Sequence, residues 1–309
     1  MNLKRIWIFI LAVFLLVSGC SNSTNPAATL DSNARTPDPG TEIYEPTAIP
    51  TAQPMATENI PLAVSVNGEG ILLQDFNDEV QRLLKAADEL EQPLDDAKAG
   101  EMVLRNLVDT ILLAQSAREA GFKLSDETYQ QKVVELIEKS GGDEAFQKWL
   151  VDNQYTSESF ERMYRLQIEA SWMRDIIINK VETRAEQIRA RQILTTSKTK
   201  AEEIYAKLVN GEDFSYYAWG YDQLSGGELG WFPRGYLVLP QVEEQVFNLQ
   251  PGEFTGVIES TYGYHIVQVM ERELDRELTK DALLQRQRQA LSEWLENKRA
   301  SSNIEIIKN

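Results

Sequence analysis

One histidine and one cysteine stand in this chain of 309 residues: His265 and Cys20. That count excludes zinc clusters of Cys and His, and neither a Cys/His nucleophilic pair, with Cys20 in a modification setting, nor a Ser-His-Asp triad of the usual kind is expected. Asp and Glu number 48 against 31 Lys and Arg, yet the excess reads as solvated helix faces without a paired-carboxylate motif. No Gly-rich phosphate loop follows a strand. A formal net charge of −17 makes nucleic acid an unsuitable partner. Neither a metal nor a cofactor is expected.

Cys20 has a specific setting. Lys4 and Arg5 precede an unbroken apolar run at 6–17, too short to span a bilayer and suited to a signal-peptide core. The run ends in Val17-Ser18-Gly19-Cys20, which resembles the bacterial lipobox. The resemblance implies cleavage before Cys20, a diacylglycerol on its thiol, and a mature protein anchored to a membrane on its extracytoplasmic face. Two or more acyl chains hold stably, at about 0.8 kcal/mol per buried methylene. Loss of residues 1–19 removes Lys4 and Arg5 and takes the net charge from −17 to −19. Residues 20–60 then form a lipidated tether: positions 21–60 hold six of the eleven prolines and show no periodicity.

Behind the tether the elements that must position any chemistry begin. Residues 63–66 alternate like a short strand, and Asn67-Gly68 reads as a turn. Phe76, Val80, Leu83, Leu84, Ala87 and Leu90 fall at helix spacing, and Pro93 ends that helix. A second helix is predicted near 97–120 with Gly121 as its cap, and a third from Ser125 to the glycines at 141 and 142. Short and long helices follow near 143–152 and 156–181. Their apolar residues read as core packing. The pattern changes over 186–272: a strand at 188–194, a helix at 199–209 closed by Gly211, a Gly-rich middle, and a strand at 264–270. An amphipathic helix is predicted over 274–300, with a strand candidate at 304–307. The strands at 63–66 and 304–307 are each too short to stand alone, which predicts that they pair.

IRARQIL at 188–194, NGEDFSYYA at 210–218, GGELGWF at 226–232, FNLQPGE at 247–253 and YGYHIVQV at 262–269 together resemble a parvulin peptidyl-prolyl isomerase domain from end to end. SVNGEGILLQDF at 65–76 resembles the opening of the PrsA and SurA chaperone-isomerases, and with the lipobox in front the chain resembles a PrsA-type lipoprotein foldase. The implied fold is α+β. A helical chaperone domain built from N- and C-terminal segments (61–183 and 274–309) would surround a small parvulin domain (184–273), a four-stranded antiparallel sheet with helices around it. Trp231, Phe232 and Phe247 are expected in its core.

An X-Pro bond prefers trans by only about 0.5–1 kcal/mol, yet rotation meets a barrier of about 18–20 kcal/mol. A catalyst needs an apolar slot for the ring and polar groups that favour the twisted amide. The resemblance puts the slot on Leu229, Leu237 and Val242, the acidic position on Asp222, and the second histidine of the family's pair on His265. The first histidine is absent, and Gln192 stands in its place. Gln192 is able to hydrogen-bond an imidazole and fix its tautomer. Three readings stay open: a membrane-anchored isomerase and foldase acting on unfolded or nascent exported chains with X-Pro bonds, a parvulin-fold holdase that no longer catalyses, and a scaffold lipoprotein of the envelope.

Overall fold

Asn67 and Gly68 both take left-handed backbone angles, φ 51° and 86°, and join strand β1 (Leu62–Val66) to β2 (Glu69–Leu72) as a two-residue hairpin. A computed structural model of the chain describes residues 61–307. The expected signal segment, the expected lipobox with Cys20 and the expected tether lie outside the described residues. Helices α1 (Leu73–Glu89), α2 (Asp96–Glu119), α3 (Asp126–Lys139), α4 (Asp143–Asp152) and α5 (Ser157–Asn179) follow the hairpin. Then come β3 (Arg184–Thr195), α6 (Lys198–Val209), α7 (Phe214–Tyr221), β4 (Glu228–Pro233) and α8 (Pro240–Phe247). β5 (Ile258–Ser260), β6 (Gly263–Glu277), α9 (Lys280–Ala300) and β7 (Ile304–Ile306) complete the order. The chain is α+β, and all its strand pairs are antiparallel.

The described residues divide into two units, one from 61–108, 131–159 and 304–307, the other from 109–130 and 160–303. In the first, β1 is the middle strand of a three-stranded sheet, β2-β1-β7. Val64 pairs with Ile306 and Val66 with Ile304, so the two short segments expected to meet do so across the length of the chain. Ala63, Val64 and Val66 are fully buried. The same unit holds a buried polar knot. Arg82 donates to Glu79 and to the Asn153 carbonyl and lies 3.9 Å over the Tyr155 ring, while the Tyr155 hydroxyl donates to Glu79. Burial, with the Glu79 charge beside it, pushes the Tyr155 pKa far up.

In the second unit the sheet order is β4-β3-β6-β5. Side chains alternate across it. Ile188, Ala190, Val267 and Val269 face one cluster with Phe232, Ile258 and the α8 residues Val242, Val246 and Phe247. Ile193 and Ile266 face the other, with Ile204 and Leu208 of α6 and Phe214 and Ala218 of α7. Phe232 and Phe247 are core residues as expected, whereas Trp231 is half-buried beneath the Arg276 guanidinium at 4.2 Å. Leu295 of α9 packs with Leu113, Ala170 and Ile177, and Arg299 pairs with Asp109 at 2.6 Å.

The predicted helix over 274–300 is corrected at its start. Residues 274–277 continue β6, and α9 begins at Lys280 behind Thr279, whose hydroxyl accepts from the Ala282 amide. The alternating charges of 271–277 suit either element. Pairing decides, because Arg189 reaches Glu271 at 2.8 Å and Arg184 reaches Asp275 at 3.0 Å across the β3–β6 ladder.

Candidate functional site

Two residues on the central strands bring the site together. Gln192 on β3 and His265 on β6 share the sheet face of the α8 cluster, since each alternates with a neighbour, Ile193 or Ile266, that faces the other way. His265 is buried, and its Nδ1 lies 3.0 Å from Gln192 Oε1. A carbonyl oxygen only accepts, so Nδ1 carries the proton and Nε2 is left as an acceptor. The Ser260 hydroxyl at the end of β5 donates to it from the other side, with Oγ 2.7 Å from Nε2. Burial lowers the His265 pKa from its ordinary value, which favours the neutral ring. Gln192, His265 and Ser260 thus form a fixed row with both ring nitrogens engaged.

Ser260 escaped the sequence reading. Its signal is weak: a serine five residues before the one histidine, placed opposite it only by the β5–β6 hairpin, in which Ser260 pairs with Gly263. The Tyr262 amide donates to the same hydroxyl at 3.0 Å and orients it.

The row is pinned from the β4 side by backbone. The Gln192 amide donates to the Gly227 carbonyl at 2.8 Å. A Cβ on Gly227 would stand 1.9 Å from the backbone carbonyl oxygen of Gln192, and its φ is +69°, so glycine is required there on both counts. Asp222 holds the loop that delivers Gly227. Its carboxylate accepts from the amides of Leu224 (3.0 Å), Ser225 (3.2 Å) and Gly227 (3.3 Å), and from the Ser225 hydroxyl. These bonds, the Ser225 hydroxyl foremost, lower its pKa from the usual carboxylate value. The structure therefore places Asp222 in the loop behind the row, joined to Gln192 through Gly227.

The three apolar positions separate. Leu229 and Leu237 are partly buried and rest on the α8 cluster with surface to spare, while Val242, 3% exposed, lies within that cluster. Leu229 follows Gly227 by two residues, so this open apolar position and the polar row share one corner of the sheet. Around that corner Tyr262, Trp219 and Leu224 are exposed, Leu224 almost completely. Together they offer an apolar shelf beside an uncharged, hydrogen-bonding floor. That arrangement suits a planar or twisted amide.

Two family models match the chain, overlapping at residues 163–174. Residues 163–273 match the family model of the PPIC-type PPIASE domain, and residues 49–174 match that of the SurA-like N-terminal domain. The Foldase protein PrsA of Geobacillus kaustophilus is 31% identical over 189 residues, covering 57% of this chain and 64% of that protein. The Foldase protein PrsA of Caldanaerobacter subterraneus is 29% identical over 230 residues, 65% of this chain and 71% of that protein. The Chaperone SurA of Photobacterium profundum is 27% identical over 267 residues, 74% and 61% of the two chains. The chain thus spans just under two thirds of the Geobacillus protein.

Proposed function

We propose that this chain, which carries a SurA-like N-terminal domain ahead of a PPIC-type PPIASE domain, is a peptidyl-prolyl cis–trans isomerase and foldase for exported polypeptides. The observation that carries the reading is the row Gln192–His265–Ser260 on the sheet face that also bears Leu229 and Leu237. The proline ring rests on the two leucines, over a floor backed by Val242. As the amide twists, nitrogen regains its lone pair and the carbonyl loses conjugation, so polar groups held in fixed directions favour that state over the planar one. The neutral imidazole, engaged at both nitrogens, acts by orientation and dipole and moves no proton. Asp222 keeps the 222–227 loop in place, and through Gly227 the backbone of Gln192.

Residues 184–273 are read as the isomerase domain, set into a helical chaperone domain formed by 61–183 and 274–309. The β1–β7 pairing supports this, because it brings the two ends of the described chain into one sheet. The sequence Val17-Ser18-Gly19-Cys20 supports lipidation at Cys20 and an extracytoplasmic, membrane-anchored protein whose clients are unfolded or nascent chains with X-Pro bonds. Among the described residues no helix is long and apolar enough to cross a membrane.

Gln192, in the place of a histidine, favours a second reading as a holdase with a catalytically silent parvulin fold. A protease-coupled isomerisation assay on a short X-Pro peptide separates the two. A rate above the uncatalysed one supports the isomerase. Equality of the two rates, with client binding intact, leaves the holdase.

A further inference from the structure

Between β4 and α8 the chain runs from Arg234 to Leu239 with no strand partner, bracketed by Pro233 and Pro240, which have no amide proton to give. Leu237 sits in this segment. Backbone without a ladder is ordinarily the mobile part of a fold, yet this stretch is fixed from two sides. On the inner side, Glu243 of α8 is 9% exposed and accepts from three consecutive amides: Gly235 at 2.5 Å, Tyr236 at 3.0 Å and Leu237 at 2.9 Å. Successive amides converging in this way form an anion-binding nest, and here the anion is the chain's own side chain. Gly235 takes φ +80°, which turns its amide inward. On the outer side, Gln285 of α9 donates to the carbonyls of Gly235 (2.9 Å) and Tyr236 (3.3 Å).

Deep burial of a carboxylate is costly unless hydrogen bonds compensate it. All three of these bonds go to the turn that ends in Leu237, and none to the strands. We propose that Glu243 is a positioning residue for the isomerisation, fixing Leu237 as the wall of the proline slot by gathering the amides of residues 235–237. The proposal rests on the isomerase reading above. Gln285 completes the clamp and ties the slot to α9, whose far end packs on Leu113, Ala170 and Ile177.

The test is a double-mutant cycle in the full chain, with kcat/KM for a short X-Pro peptide as readout. Glu243→Gln keeps the shape but turns an amide donor toward the turn's own amides, and is expected to lower kcat/KM about tenfold. Leu237→Ala lowers it as well. If Glu243 acts through Leu237, adding Glu243→Gln to Leu237→Ala removes less than a further twofold. Hydrogen exchange at the amides of 235–237 should quicken while the β3–β6 ladder keeps its protection. A full tenfold loss in both backgrounds, or an unchanged rate in either exchange or catalysis, overturns the proposal. Should Glu243→Gln fail to fold, Gln285→Ala takes its place, with a loss of about threefold that again vanishes in the Leu237→Ala background; an additive loss, or none, overturns it. If the wild-type chain does not isomerise the peptide, the isomerase reading fails on its own. The clamp is then judged by affinity for the X-Pro peptide over its X-Ala counterpart. Loss of that preference in Glu243→Gln supports the clamp, and a preference that is absent from the wild type or unchanged in the variant overturns it.

Discussion

Gln192 Oε1 accepts a hydrogen bond from the Nδ1–H of His265 at 3.0 Å, so a glutamine on one central strand sets the tautomer of the one histidine on its neighbour. A histidine at 192 would bring a second ring and a second titration to this spot. Glutamine brings neither, and the floor of the site stays uncharged across the neutral range.

That relationship predicts the pH profile. Burial holds the folded-state pKa of His265 below its ordinary value of 6.5. Its contribution to stability is therefore full above the unfolded pKa and is lost as pH falls through the folded one. The isomerisation rate should stay level from pH 8 to about 6.5 and decline only below that. Ser260→Ala leaves Nε2 without its donor, and should slow the reaction about fivefold at pH 7.5, in line with one lost hydrogen bond of about 1 kcal/mol. Peptide kinetics across pH on both proteins check this.

Gly227→Ala places a Cβ 1.9 Å from the backbone carbonyl oxygen of Gln192 at a residue with φ +69°. The β4 end must move away from β3, at a cost of at least about 2 kcal/mol. Thermal unfolding should show a midpoint lower by about 4–8 °C, with loss of isomerisation in the protein that remains folded. A midpoint within 1 °C of wild type, as an order-of-magnitude limit, would contradict the close approach.

Truncation after Ser302 removes β7 and exposes the edge of β1, leaving a two-stranded hairpin that is marginal by itself. Hydrogen exchange should then rise at 62–72, while the β3–β6 ladder keeps its protection. Equal protection of 62–72 in both proteins would remove the role assigned to the end-to-end pairing.

Cys20→Ala should release the protein from the membrane fraction, because a lipidated Cys20 is the anchor proposed for the chain. Fractionation of the producing cells tests it. Retention of the variant in the membrane fraction would require another anchor.

Much of this was legible in the sequence. The apolar periodicities located the helices at 97–120 and 156–181, and the order of GGELGWF and YGYHIVQV carried the sheet. The family resemblance put Gln192 and His265 in one site, and the structure joins them at 3.0 Å. What the sequence hid depends on pairing across distance. The charge pattern of 271–277 suits helix or strand alike, and it becomes a strand because Arg184 and Arg189 wait on β3. The short helices α7 and α8 lay inside what reads as a Gly-rich loop, since eight residues carry too few repeats to show a period. Ser260 and Glu243 are ordinary letters until a hairpin and a helix turn aim them. Val242, counted with the slot from its place in the motif, sits under it in the core.

The central claim is that this site still lowers the barrier to proline isomerisation with a glutamine in place of a histidine. The loss of one charged or polar contact of about 1.5–3 kcal/mol slows the step by roughly ten- to a hundredfold without closing the path, since no proton is transferred. The most direct measurement is the isomerisation rate of one short X-Pro peptide with the wild-type chain, Gln192→His and His265→Ala side by side. The account predicts slow catalysis above background by the wild type, a faster rate for Gln192→His and a reduced rate for His265→Ala, with unfolded-client binding alike in all three. A wild-type rate equal to the uncatalysed one, with no gain on Gln192→His, would contradict it.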